Sequence, residues 1–108
     1  LTFGEPYIVE GLTEPIEGCE GSLVVNSAKD TLYFSDPNNP SLIRQNMTVF
    51  SSKDDGLSWQ VLATVDTGAV SYSAMQVHPD GGLSLLYERS NVKQAVFDPD
   101  EIVYYRVI

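Results

Sequence analysis

Apolar and polar residues alternate over short stretches of this chain, and no segment sustains the spacing of an amphipathic helix. The pattern predicts strands near 22–26, 31–35, 46–52 and 59–65, and a second set near 72–77, 83–88, 93–97 and 102–107. Turn-forming runs separate them: Asp36-Pro37-Asn38-Asn39-Pro40, Asp54-Asp55-Gly56, Pro79-Asp80-Gly81-Gly82 and Asp98-Pro99-Asp100. Short strands at this spacing mean an all-β fold with no helix longer than a turn or two, either a sandwich or propeller blades.

The grouping into two sets of four favours blades. Each set forms one four-stranded antiparallel meander, so the chain is expected to hold about two blades of a β-propeller. Two blades cannot close a ring. Apolar strands such as 85–87 and 103–105 are then expected to need cover from the remainder of a propeller. Residues 1–108 accordingly read as one incomplete domain, a piece of a longer polypeptide, with no separate second domain.

Composition narrows the partners. A hydrophobic share of 43% with 10% aromatics excludes a disordered chain. The formal net charge of −9 speaks against nucleic acid or an anionic membrane surface, so an anion would have to be recognised by a few placed arginines. No apolar run approaches the ~18 residues of a membrane span, and no signal peptide is evident. Cys19 is the one cysteine, which leaves no intrachain disulfide and no Cys/His metal set; neither a metal nor a cofactor is expected. His78, the one histidine, sits in His78-Pro79-Asp80-Gly81-Gly82 and reads as a turn residue rather than a catalytic one. Residues 1–21 form a Gly/Pro-rich lead-in whose Glu10, Glu14, Glu17 and Glu20 read as solvated loop residues rather than paired catalytic carboxylates.

Ser52-Lys53-Asp54-Asp55-Gly56-Leu57-Ser58-Trp59 matches the Asp-box pattern S-x-D-x-G-x-[ST]-W at every defined position. The chemistry is that of a hairpin turn locked by its own side chains. Ser52, Asp54 and Ser58 can bond turn backbone, Gly56 supplies a positive φ, and Trp59 can pack under the loop. The Asp54-Asp55 pair lacks the further ligands of a calcium loop, so the run reads as structural.

Three more segments carry a resemblance to a family. Thr13-Glu14-Pro15-Ile16-Glu17-Gly18-Cys19-Glu20-Gly21-Ser22-Leu23 resembles the E-P-x-x-x-G-C-Q-G-S-[VIL] stretch of animal-type sialidases, with Glu20 in place of the usual Gln. Phe34-Ser35-Asp36-Pro37-Asn38-Asn39-Pro40, followed by Arg44 and Asn46-Met47-Thr48, resembles their approach to the third arginine of the substrate-binding triad, the lysosomal-type enzymes above all. Ser71-Tyr72-Ser73 and Leu86-Tyr87-Glu88 match the tyrosine nucleophile motif and the L-Y-E that follows it. With 52–59 the similarity runs over about residues 12–89, in family order. It identifies the chain as resembling the C-terminal portion of a six-bladed Asp-box sialidase.

The resemblance implies roles for individual residues. Tyr72 would be the nucleophile; a tyrosine, neutral before attack, escapes the repulsion that the substrate's own carboxylate would exert on a carboxylate nucleophile. Arg44 would bind the sialic acid carboxylate with its planar, bidentate fork, whereas Arg89 and Arg106 lie outside the motif positions. Glu88 would stand behind the site and hold an arginine that this sequence does not contain. The family's other two arginines, its Asp acid/base and the Glu that activates the tyrosine have no match here, so the chain by itself is expected to be inactive. Asn46-Met47-Thr48 is an N-glycosylation sequon and suits a secreted or lysosomal protein. Arg44 and Asn46 share strand parity, so a pocket-facing Arg44 and a glycan on Asn46 conflict unless Arg44 precedes the regular strand.

The function implied is that of a retaining exo-sialidase, cofactor-free, acting on sialylated glycoproteins or glycolipids. A trans-sialidase would use the same residues with an acceptor sugar in place of water. A non-catalytic propeller serving as a carbohydrate-binding or interaction module, and a self-contained all-β binding domain, are the alternatives of a different class.

Overall fold

The computed structural model describes residues 1–91 and 100–106. Strands are the only regular elements among them: β1 (Ser22–Asn26), β2 (Thr31–Pro37), β3 (Gln45–Ser52), β4 (Gln60–Val77), β5 (Leu83–Ser90) and β6 (Glu101–Arg106). The expected strand at 93–97 lies outside the described residues. All neighbours are antiparallel and follow chain order, β1-β2-β3-β4-β5-β6, in one sheet.

The expected division into two four-stranded sheets is not what is seen. The stretches 59–65 and 72–77, anticipated as separate strands, are parts of the 18-residue β4. The reason lies in Asp66-Thr67-Gly68-Ala69-Val70-Ser71, which has one glycine and no proline to force a turn. The strand changes partner instead. Its first part pairs with β3 from Gln60 to Ala69, and its second part pairs with β5 from Ala69 to Val77. A straight strand of this length would span roughly 60 Å. The whole chain extends only 41 Å along its longest axis, so β4 must bend. Register shifts along β3–β4 and between Val70 and Ser73 accommodate the bend. The result is a curled, half-barrel sheet, compatible with part of a propeller.

Curling brings β1 and β2 against the second part of β4. The Ser35 and Ser73 hydroxyls are 2.8 Å apart, and the Met75 amide donates to the Ser22 hydroxyl at 2.9 Å. Tyr33, Met47, Val49, Val70, Leu83, Leu85 and Tyr87 fill the concave side as the main core, with Val24, Met75 and Val103 packed around it. The opposite face of β2–β3 carries Phe34, Phe50 and Trp59, with Phe34 edge-on to Trp59 at a centroid distance of 6.2 Å. The lead-in runs across this face. It passes so near β2 that a Cβ on Gly21 would lie 2.6 Å from the Ser35 carbonyl oxygen, which only glycine avoids.

Residues 52–59 join β3 to β4. The Ser52 hydroxyl donates to Asp54 Oδ1 at 2.8 Å and accepts from the Gly56 amide at 2.9 Å. Asp54 also accepts from the Ser58 amide and hydroxyl, and the Trp59 indole N–H donates to the Gly56 carbonyl at 3.0 Å. Bonds from Ser58 first, then Ser52, hold the Asp54 carboxyl down at about 2. Gly56 has φ +85°, while a Cβ there would meet its nearest neighbour, Leu32, at an ordinary 3.6 Å. Gly56→Ala therefore suffers from backbone strain and not from a clash, and is expected to destabilise the fold by about 1–2 kcal/mol. In urea unfolding the midpoint should fall with the slope unchanged; an unmoved midpoint would show that the turn tolerates a side chain at this φ.

Candidate active site around Tyr72 and Arg44

Side chains on β4 alternate across its second part: Ser71 and Ser73 are buried in the curl, while Tyr72 and Ala74 face outward. The register places Ala74 opposite Leu86, and Leu86 opposite Tyr104. Tyr72, Ala74, Leu86, Glu88 and Ile102, with Glu20 of the lead-in, line an open depression of about 250 Å³. Tyr72 is 44% exposed at its edge. Glu88 lies on the same side, and its Oε2 accepts a long bond from the Tyr72 amide at 3.4 Å.

Arg44 immediately precedes β3 and is buried, 7% exposed. Its Nη1 donates to the Ser71 hydroxyl at 3.1 Å, and its Nη2 donates to the Gly18 carbonyl at 2.9 Å. These bonds fix the guanidinium, whose carbon lies over the Tyr72 ring at 5.6 Å from the centroid, a cation–π contact. The structure thus puts Tyr72 and Glu88 on the wall of the depression, with Arg44 buried against the Tyr72 ring and outside the lining itself. Asn46 does not share the face that parity would give it. Its φ of +63° and the register shift between Gln45 and Met47 break the alternation, and Arg44 stands before the regular strand. The Asn46 side-chain amide donates to the Asn38 carbonyl at 3.4 Å, and the buried Thr48 hydroxyl donates to the Asn46 carbonyl at 2.8 Å.

His78 lies at the β4–β5 turn, where its Nε2 is 2.8 Å from the Ser84 hydroxyl and its amide donates to the Gly82 carbonyl. Among the described residues no group of His, Cys, Asp or Glu is arranged to hold a metal ion. Among the described residues no helix is long and apolar enough to cross a membrane.

Three parts of the site carry no signal for it in the sequence. Gly18 contributes through its carbonyl, which leaves no side-chain signature. Ser71 stands out in the sequence only as part of the tyrosine motif. Glu20, read as a solvated loop residue, is exposed but lines the depression, and its carbonyl accepts from the Ser73 amide at 3.2 Å. Asp36, read as a turn residue, is 2% exposed with a buried Oδ1 that has no hydrogen-bond partner. Burial, and next the Glu14 carboxylate, push its carboxyl up to about 7 against the opposing pull of Arg44.

No family model matches this sequence, and no curated protein sequence does. Among solved structures the chain is similar to the intramolecular trans-sialidase from Ruminococcus gnavus in complex with oseltamivir carboxylate, with a TM-score of 0.65 at 20% identity. The match covers 95% of this chain and 24% of that one, so the chain spans about a quarter of its length. The fold of this chain is sialidase-like.

Proposed function

We propose that this chain is the C-terminal portion of a retaining exo-sialidase of the animal, lysosomal-like Asp-box propeller type, and that it supplies the nucleophile and one carboxylate-binding arginine. The observation that carries the reading is the exposed Tyr72 ring held against the fixed Arg44 guanidinium beside Glu88. A sialoside has its carboxylate on the anomeric carbon, so a nucleophile and a guanidinium side by side match the two groups it offers. Tyr72 Oη attacks the anomeric carbon and forms a glycosyl–tyrosine bond as the aglycone leaves. Its proton passes to a general base, and an acid protonates the departing oxygen. Water then attacks the same carbon, restoring the Tyr72 hydroxyl and releasing sialic acid with retained configuration. On this reading the acid/base groups and the other two arginines come from residues outside this sequence, which also complete the propeller. Sialylated glycoproteins or glycolipids are the substrates, and the Asn46 sequon places the protein in the secretory pathway or lysosome.

The test is trapping. A protein carrying this chain, treated with a 3-fluorinated sialosyl donor, is expected to gain one sialosyl group on the peptide containing Tyr72. Labelling elsewhere, or no labelling together with no release of sialic acid from α-sialosides, would sink the assignment. A second reading, intramolecular transfer in which a hydroxyl of the substrate replaces water, draws support from the likeness to the Ruminococcus gnavus enzyme. Product analysis separates the two.

A further inference from the structure

The β4–β5 ladder is broken at the tyrosine itself. It pairs Val70 with Arg89 and next Ser73 with Tyr87, a step of three residues on β4 against two on β5. Ser71 and Tyr72 therefore face Glu88 together, the two-against-one count of a β-bulge. Continued without the shift, the ladder would set Tyr72 opposite Tyr87, whose side chain is buried in the main core. A slip of one residue moves a strand's side chains to the other face of the sheet. The shift thus decides whether Tyr72 lies in the core or on the wall of the depression beside Ala74. It also sets two adjacent residues within reach of one guanidinium: the Ser71 hydroxyl is 3.1 Å from Arg44 Nη1, and the Tyr72 ring centroid is 5.6 Å from Arg44 Cζ. Glu88, the residue opposite the extra pair, is also the one whose side chain reaches it, Oε2 accepting from the Tyr72 amide at 3.4 Å.

We propose that Glu88 is a positioning residue for Tyr72, its carboxylate closing the bulge through the Tyr72 amide and so keeping the ring outward against Arg44. A bulge re-aims a side chain, and it persists where the backbone groups it displaces find partners. This role is separate from holding an arginine, which the sialidase resemblance implies for Glu88. An amide needs only an acceptor oxygen, whereas a guanidinium draws its strong bonds from the negative charge. The activity consequence rests on the sialidase reading; the backbone one does not.

The experiment is hydrogen exchange at two amides in a protein carrying this chain. Ser71-Tyr72 is the sole Ser-Tyr pair of this sequence and Tyr72-Ser73 the sole Tyr-Ser pair, so carbonyl and amide isotope labelling of serine and tyrosine singles out both by NMR. The Tyr72 amide is expected to be protected in the unmutated protein. Glu88→Ala should speed its exchange about tenfold or more, and Glu88→Gln, which keeps an acceptor oxygen, should restore most of the protection. The Ser73 amide, bonded to the Glu20 carbonyl at 3.2 Å, should hold its rate in both variants. Equal acceleration at Tyr72 and Ser73 would give Glu88 a merely structural role and overturn the proposal. Exchange of the Tyr72 amide at the rate of an unstructured chain would overturn it as well, and that is read on the unmutated protein. In a sialoside assay Glu88→Ala is expected to lower kcat about tenfold further than Glu88→Gln, while a rise in KM common to both variants belongs to the held arginine. If the unmutated protein turns over no sialoside, the proposed function fails while the two amides still decide the role of Glu88.

Discussion

Tyr72→Phe is expected to lower sialoside turnover by at least about 10³-fold, equivalent to about 4 kcal/mol of barrier, while leaving affinity within a few-fold. The substitution deletes only the attacking oxygen. The ring that Arg44 covers remains, and so do the Ser71 and Gly18 bonds that hold the guanidinium. The backbone bond from residue 72 to Glu88 also survives, since it uses the amide. Steady-state rates on an aryl α-sialoside, with binding of a non-hydrolysable analogue measured separately, would check it. Residual turnover within tenfold of the unmutated protein would move the nucleophile elsewhere.

The second large effect is on stability against pH. The Asp36 carboxyl titrates at about 7 in the fold and at 3.8 when unperturbed. Between those values the folded state keeps a proton that the unfolded state has released. The stability this group contributes is therefore complete below about pH 4 and lost as pH rises through about 7, a change of about 4 kcal/mol at most. That is a large part of the 5–15 kcal/mol typical of a domain. Asp54 has the opposite sign. Its carboxyl is held down at about 2, so its contribution is present above pH 4 and lost as pH falls through about 2. Urea unfolding at pH 4.5 and 7.5 should show the unmutated protein losing stability across this interval and Asp36→Asn losing much less. Parallel losses in the two proteins would mean that Asp36 keeps an ordinary titration in the fold.

Much of the strand map could be read from pattern. β1 spans the anticipated 22–26, and β3 begins one residue before 46. Strand ends were harder. Asp36 and Pro37 belong to a turn-forming run, yet they still pair with Thr48 and Met47, because a proline is tolerated at the end of a ladder. The fusion of two strands into β4 was illegible for a different reason: a strand that exchanges one partner for another needs no turn residues. At the site, motif resemblance pointed to Tyr72, Arg44 and Glu88. The supports of Arg44 escaped it, since one is a backbone carbonyl and the other a serine hydroxyl that the sequence offers only as part of the tyrosine motif. The Asn46 conflict dissolved through a positive φ on a non-glycine residue, a local backbone choice that strand alternation does not anticipate.

The consecutive order of the six strands bears on how the chain reaches this state. Each strand finds its ladder neighbour next along the polypeptide, so every pairing step closes a short loop, and the loop entropy that slows most β proteins is modest here. Assembly can proceed like a zipper, hairpin by hairpin, in the direction of synthesis. The late event is of another kind: bringing Ser35 to Ser73 and Ser22 to Met75 joins segments 38 and 53 residues apart. Arg44 meets Ser71 beside the β3–β4 ladder, where Gln45 faces Ala69 and the Val70 amide donates to the Arg44 carbonyl, so that contact forms with the hairpin. The bond from the Ser73 amide to the Glu20 carbonyl instead waits until the zipped ribbon has rolled up.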